Sequence, residues 1–92
     1  MKISVIIPTY NESRRLPKTY KSVISYLNKN FEEAEVIISD GGSTDGTQEL
    51  IKQYCNNKEG RVETRSVIME SREGKGAGVK RGMLQAKYPF VL

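Results

Sequence analysis

Hydrophobic residues are concentrated in four short runs, separated by longer segments of mixed polarity. The runs KISVIIP (2–8) and AEVIIS (34–39) are rich in β-branched residues, which predicts strands buried on both faces. The run RVETRSVIM (61–69) alternates over its first half and then becomes apolar, which indicates a third strand. PFVL (89–92) is the fourth predicted strand.

The segment between the first two strands has the period of a helix. Pro17 is suited to a first helical turn, and the predicted helix extends to about Asn28. One apolar stripe along it predicts the residues that face the core: Leu16, Tyr20, Val23, Ile24 and Leu27.

Two further helices are predicted between the later strands. Asp45, followed three residues later by Gln48, resembles a capping box and predicts a helix over residues 46–54. Another helix is predicted over residues 77–86. The residues expected to face inward from these two helices are Leu50, Ile51 and Tyr54, and Val79, Met83 and Ala86.

The predicted element order is β-α-β-α-β-α-β, which is typical of an α/β fold with a Rossmann-like parallel sheet covered by helices. In such sheets, ligands bind beyond the carboxyl ends of the strands, where the strand order reverses. The segments at those ends are PTYNE (8–12), DGGSTDG (40–46) and ESREGKG (70–76). We therefore expect three separate segments to converge on one crevice.

Composition limits the classes of function. Ninety-two residues allow one domain, here residues 1–92, and one cysteine without histidine excludes an internal disulfide and a Cys/His metal cluster. No apolar run is long enough for a signal peptide or a membrane span, so we expect a cytoplasmic location. The net charge of +4 arises from residues 61–92, with seven basic and three acidic residues. A nucleic-acid partner is not expected, because no aromatic residues interleave with these cations.

The most basic segment is also rich in glycine, with Gly74, Gly76 and Gly78 close together. It lacks the P-loop pattern, and Val79 and Arg81 occupy the positions at which a dinucleotide motif would require its third glycine, so a redox cofactor is not expected. A glycine-rich turn that opens a helix can bind phosphate through exposed N–H groups. The alternative is that these glycines only allow tight strand-to-helix packing.

Three segments in this order resemble the amino-terminal half of the family 2 glycosyltransferases: SVIIPTYNE (4–12), EVIISDGGSTDGT (35–47) and REGKGAGVKRGM (72–83). These are inverting enzymes with a nucleotide-diphosphosugar-binding α/β fold, the GT-A fold. The last segment is most similar to the branch that transfers a hexose to dolichyl or other polyprenyl phosphates. The resemblance therefore implies a nucleotide-sugar-binding half of a transferase.

The resemblance also implies the residues of the donor site. Tyr10 would lie against the base and Glu12 toward the ribose, while Pro8 and Thr9 would contribute mainly through their backbone. Asp40 would face the base or the ribose. The alternatives are that Tyr10 is a rim aromatic residue, that Asn11 and Glu12 form a turn, and that Asp40 caps a turn. We assign Ser43, Thr44 and Asp45 to turn and capping roles.

Arg72 and Lys75 would face uracil or the diphosphate. A UDP-sugar is favoured over a GDP-sugar, although the chain has Asp40 and Gly41 where relatives often have two acidic residues. The resemblance implies a polyprenyl-phosphate acceptor, which would place the complete enzyme at a membrane surface. It also implies a divalent metal, Mg²⁺ or Mn²⁺, held by an Asp-x-Asp segment after the fourth strand.

No metal ligand and no catalytic base are predicted within residues 1–92, so we expect these residues alone to bind a nucleotide weakly and not to transfer sugar. We also expect self-association through residues 89–92, an apolar strand at the sheet edge. Alternative functions are a non-catalytic module that binds a nucleotide or a nucleotide sugar, a basic nucleic-acid-binding domain, and a phosphoacceptor domain. The last would require clustered carboxylates, for which Asp40 alone is a poor match.

Overall fold

The fold was obtained as a computed structural model, which describes residues 2–55, 60–68 and 82–91. It contains β1 (Lys2–Thr9), α1 (Leu16–Asn30), β2 (Glu33–Asp40), α2 (Thr47–Cys55), β3 (Val62–Ile68) and β4 (Phe90–Val91). All strand pairs are parallel, in the order β3-β2-β1-β4. This confirms the predicted Rossmann-like α/β fold and each predicted strand.

The first face of the sheet is covered by α1 and α2. Residues of α1 that recur at three- and four-residue intervals pack against alternate residues of β2, because a helix and a strand each turn one side toward the core. Tyr20 and Tyr54 join the two helices, with ring centroids 4.0 Å apart and an angle of 10° between the planes. The Tyr20 hydroxyl lies 2.5 Å from Thr64 Oγ1 of β3. Both helices are thereby fixed to the same face.

The opposite face is partly covered by residues 82–85, which are helical. Ile6 and Ile37 are register partners on this face and are fully buried. A Cβ atom added to Gly82 would lie 2.7 Å from Ile6 Cγ2, so only glycine allows the helical turn to approach β1 this closely. The helices therefore lie on both sides of the sheet.

The expected burial of Met83 is wrong. Met83 is 39% exposed and Leu84 is 77% exposed. Gly82 and Ala86, four residues apart, are the buried and half-buried positions of this turn, so the intervening side chains point away from the sheet. Val79 and the predicted start of this helix at residue 77 lie outside the described residues.

The predicted capping box at the start of α2 is also wrong. Asp45 Oδ1 accepts a hydrogen bond from the Thr47 N–H at 3.1 Å, but the Gln48 side chain does not form the reciprocal hydrogen bond with Asp45 that a capping box requires. Gln48 Nε2 instead donates to Asp40 Oδ2 at 3.1 Å. Asp40, at the end of β2, provides a buried carboxylate that competes successfully for this amide. The amino end of α2 is therefore hydrogen-bonded to the carboxyl end of β2.

Candidate functional site

The strand order reverses beside β1, which places the candidate site at the carboxyl end of that strand. Among the described residues, β4 pairs with β1 at Ser4 and Val5, and β1 extends to Thr9. A cleft of about 210 Å³ lies between the last residues of β1 and the start of α1. It is lined by Ile7, Pro8, Thr9, Glu12, Arg15, Leu16 and Thr19.

Asp40 organises the loop that follows β2. Its carboxylate is fully buried and accepts hydrogen bonds from Thr9 Oγ1 at 2.7 Å, Gly42 N at 3.1 Å and Ser43 N at 2.8 Å. It also accepts from Ser43 Oγ at 2.5 Å, in addition to Gln48. Burial would raise the pKa of Asp40, but the hydrogen bonds, above all those from Ser43, outweigh it and lower the pKa. The carboxylate is therefore ionised and fully engaged within the chain.

The loops after β1 and β2 are joined by a set of hydrogen bonds that we call the loop bridge. Its donor-acceptor pairs are Asn11 N to Ser43 Oγ (2.8 Å), Thr44 N to Asn11 Oδ1 (2.9 Å), Glu12 N to Thr47 Oγ1 (2.9 Å), and Ser13 Oγ (2.9 Å) and Ser13 N (3.2 Å) to Asp45 Oδ2. Gly41 N also donates to the Thr9 carbonyl at 2.9 Å. Two segments separated by about thirty residues are thereby held as one surface.

Two residues of the loop bridge have unusual properties. Asn11 has a φ of 52°, in the left-handed region that asparagine tolerates better than most residues. Asp45 has a pKa lowered to about 2, mainly because the Thr47 hydroxyl donates to its carboxylate, with further donors from Ser13. The exposed carboxylate of Asp45 therefore acts as a charged acceptor that joins the two loops.

The structure brings five of the predicted site residues to this edge of the sheet. Pro8 and Tyr10 are half-buried, and Thr9 is buried with its hydroxyl on Asp40. Glu12 Oε2 lies 3.1 Å from Arg15 Nε, and the Glu12 side chain is 10% exposed. Asp40 is at the same edge, with contacts that match the turn-capping alternative. Arg72 and Lys75 lie outside the described residues.

Sequence reasoning did not identify the contacts that connect the loops across the chain. Ser13, Thr47 and Gln48 each bond to a residue of another segment, and Ser43 and Asp45 were assigned only local roles. Their spacing contains no sign of these contacts, because the partners lie 8 to 35 residues away. The signal that was available is the density of hydroxyl and carboxylate groups after two strands predicted to be neighbours.

A second buried polar cluster lies on the opposite face, near the start of the sheet. Glu35 is 1% exposed and accepts hydrogen bonds from Ser4 Oγ (2.6 Å), Arg65 Nε (2.8 Å) and the Lys87 N–H (2.7 Å). The Tyr88 N–H donates to Ser4 Oγ at 3.1 Å. Burial would raise the pKa of Glu35, but these donors lower it. The cluster fixes the segment that leads into β4.

The described carboxylates at the candidate site are engaged in contacts within the chain. Within residues 2–55, 60–68 and 82–91, no three acidic, cysteine or histidine side chains are grouped so as to hold a metal ion. Asp40 and Asp45 are hydrogen-bonded within the chain, and Glu12 is ion-paired. The metal expected for the complete enzyme stays a prediction. Among the same described residues, none of the helices is both long and apolar enough to span a bilayer.

Comparison with known proteins identifies the family. The model of glycosyl transferase family 2 matches residues 4–92. The chain is 33% identical over 96 residues to a human dolichyl-phosphate beta-glucosyltransferase, covering 99% of the chain and 29% of the relative. It is 36% identical to the enzyme of the same name from Dictyostelium discoideum, covering 98% of the chain and 29% of the relative.

A more distant kind of relative is the poly-beta-1,6-N-acetyl-D-glucosamine synthase of Staphylococcus epidermidis, 33% identical over 98% of the chain and 20% of the relative. The chain thus spans less than a third of the length of these relatives. No solved structure gives a significant match. The matched range includes β2, β3 and β4 and all of β1 except its first two residues, and the chain belongs to glycosyl transferase family 2.

Proposed function

We propose that residues 1–92 form the donor-binding part of a glycosyltransferase that moves a hexose from a nucleotide diphosphosugar to a polyprenyl phosphate. The observation that supports this most directly is the loop bridge, which holds the segments after β1 and β2 together beside the cleft at the strand-order reversal. The names of the relatives support the sugar and the class of acceptor: dolichyl-phosphate beta-glucosyltransferases recur among them.

Within this proposal, the described residues take two kinds of role. Pro8, Thr9, Tyr10 and Glu12 line or adjoin the cleft and would contact the nucleoside. Asp40 would act mainly by shaping the loop against which the base or ribose rests, because five hydrogen bonds already occupy its carboxylate. Arg72 and Lys75 are proposed to face uracil or the diphosphate, and a uridine nucleotide is proposed to be preferred over a guanosine one.

The direct test is calorimetric titration of UDP and of GDP into the chain, each with and without Mg²⁺. We expect UDP to bind more tightly than GDP, and the Arg72→Ala variant to lose most of the affinity because a cation beside the diphosphate is removed. Lys52→Gln, on the exposed side of α2, is the matched control for a lost positive charge. Failure of both nucleotides to bind would contradict the proposal, as would equal losses in the two variants.

Transfer is tested separately, with a nucleotide sugar and a polyprenyl phosphate as substrates. We predict that the 92 residues bind without turnover, so measurable product would contradict that part of the proposal. Binding in both the chain and its longer relatives, with no transfer in either, would favour the non-catalytic nucleotide-binding module. Self-association through β4 and a cytoplasmic location stay predictions, the first of which light scattering over a range of concentrations would test.

A further inference from the structure

The outward side of α1 has an unusual charge distribution. α1 contains Lys18, Lys21 and Lys29 but no aspartate or glutamate. All three lysines are exposed, and none has an ion pair within the described residues. By contrast, Lys2 and Lys87 each lie within 3.3 Å of a carboxylate. The three lysines of α1 therefore form a patch of positive charge on the surface of the helix.

The three lysines lie on one side of the helix. Positions 18, 21, 22, 25, 26 and 29 follow the three- and four-residue spacing of a single helical face, and we call this surface the lysine face. It spans about 17 Å along the helix, given a rise of 1.5 Å per residue. Its remaining members are Ser22, Ser25 and Tyr26. The opposite stripe of α1 is buried in the core, so the lysine face is turned outward.

Tyr26 is the exposed aromatic residue at the centre of this surface. Its side chain is 61% exposed, although one edge lies near Phe31, with ring centroids 6.2 Å apart. An amphipathic aromatic ring among lysines is suited to the headgroup region of a bilayer, where tyrosine is enriched. The lysine face thus combines a cationic component with an interfacial one.

The stability of α1 does not account for this arrangement. Lys29 lies in the last turn, where a cation interacts favourably with the helix dipole. Lys18 lies in the first turn, where the same dipole disfavours a cation and where no acidic residue offsets it. The positive charge of Lys18 is therefore unfavourable for the stability of α1.

From this charge distribution and exposure we propose that the lysine face of α1 docks onto an anionic lipid surface. Lysines near such a surface each contribute to partitioning, and a basic amphipathic helix can lie in the plane of the interface. A single-stranded nucleic acid fits less well, because its binding surfaces use several stacking aromatic residues, and the lysine face contains Tyr26 as its single aromatic residue.

The position of α1 connects this surface with the candidate site. α1 begins beside the carboxyl end of β1, and Arg15, Leu16 and Thr19 line the cleft there. Lys18 and Lys21 belong to the same end of the helix. Docking through the lysine face would hold the cleft beside the membrane, within reach of a lipid-phosphate acceptor. Only this last connection rests on the proposed function.

The test is co-sedimentation of the chain with phosphatidylcholine vesicles, with and without phosphatidylserine, at low salt. We expect binding to the anionic vesicles alone. Replacing Lys18, Lys21 and Lys29 with glutamine should weaken partitioning roughly 100-fold, because each lysine contributes a factor of about five. Tyr26→Gln should weaken it by a few-fold without changing the net charge.

The matched control replaces Lys2, Lys52 and Lys87 with glutamine, which lowers the net charge by the same amount at other exposed positions. We expect it to weaken binding much less than the α1 variant. Equal losses in the two triple variants would overturn the proposal, as would no binding to anionic vesicles. Binding of single-stranded RNA, lost in the α1 variant while vesicle binding is kept, would also overturn it in favour of a nucleic-acid surface.

Titration of UDP into the α1 triple variant separates this proposal from the proposed function. Unchanged nucleotide binding with lost vesicle binding would support the lysine face as a distinct docking surface. Loss of both would overturn it, because the substitutions would then act through the fold or through the cleft. If the parent chain binds vesicles but no nucleotide, the proposed function fails while the docking surface stands.

Discussion

Thr9 and Asp40 are register partners at the last position of β1 and β2, and the Thr9 hydroxyl donates to Asp40 Oδ1 at 2.7 Å. Both side chains are buried. The relationship joins two adjacent strand ends at the point where their loops begin. It turns a buried carboxylate, which would otherwise be costly, into the centre of a satisfied hydrogen-bond network.

The first prediction concerns the charge of Asp40. Asp40→Asn replaces one acceptor oxygen with an amide donor, which would then face groups that also donate. We expect a loss of about 2–3 kcal/mol in the free energy of unfolding, because buried donors are left without acceptors. Urea denaturation of the variant and the parent chain measures it.

Glu49→Gln serves as the control, since Glu49 lies on the exposed side of α2 and undergoes the same change from carboxylate to amide. It should change the free energy of unfolding by less than about 0.5 kcal/mol. A similar small effect in Asp40→Asn would show that the network does not depend on the charge.

The second prediction concerns pH. The pKa values of Glu35 and Asp40 are lowered from ordinary values of 4.5 and 3.8, and that of Asp45 is lowered to about 2. The folded state therefore binds protons more weakly than the unfolded state. Their contribution to stability is complete above about pH 5 and is lost as the pH falls through the lowered values.

Thermal melts between pH 7 and pH 2 test this prediction. We expect a midpoint that is steady from pH 7 to pH 5 and then falls. Glu35→Gln should reduce the slope below pH 5, because one group with a shifted pKa has been removed. A midpoint that rises on acidification would contradict the predicted sign.

The third prediction separates the backbone and side-chain roles of Asn11. Asn11→Gly keeps access to the positive φ of 52° but removes the acceptor for Thr44 N, whereas Asn11→Ala also introduces left-handed strain. We expect Asn11→Ala to be less stable than Asn11→Gly by about 1 kcal/mol. Urea denaturation of both variants measures the difference, and the opposite order would mean that residue 11 does not need this conformation.

The fourth prediction concerns the contact between Gly82 and Ile6. Gly82→Ala would place a methyl group 2.7 Å from Ile6 Cγ2, and overpacking of this kind typically costs about 1–3 kcal/mol. Ile6→Leu removes the branched methyl group at that point. In a double-mutant cycle, the alanine should therefore cost less in the leucine background. Additive effects would show that the two residues are not in contact.

The strands could be predicted from sequence because buried parallel strands contain continuous β-branched runs, as in Val5 to Ile7 and Val36 to Ile38. The core-facing stripe of α1 followed equally from helical spacing, and Leu16, Tyr20, Ile24 and Leu27 are all buried. These features depend on neighbours within a few positions of the chain.

The site could be predicted only as far as its location at the strand ends. The partner of Gln48 could not be identified, because Asp45 and Asp40 both lie within reach along the chain and burial decides between them. The orientation of Met83 was missed for a similar reason: a glycine packed against Ile6 sets the rotation of that turn, and hydrophobic spacing alone ignores it.

The loop bridge has a consequence for the thermodynamics of association. Its hydrogen bonds join residues of the chain to one another, so the fold itself, through residues 9–13 and 40–47, supplies the loss of conformational entropy that a binding surface requires. A nucleotide that meets this edge of the sheet would not have to order either segment. The enthalpy of its contacts there would then be retained as affinity instead of being offset by the immobilisation of two loops.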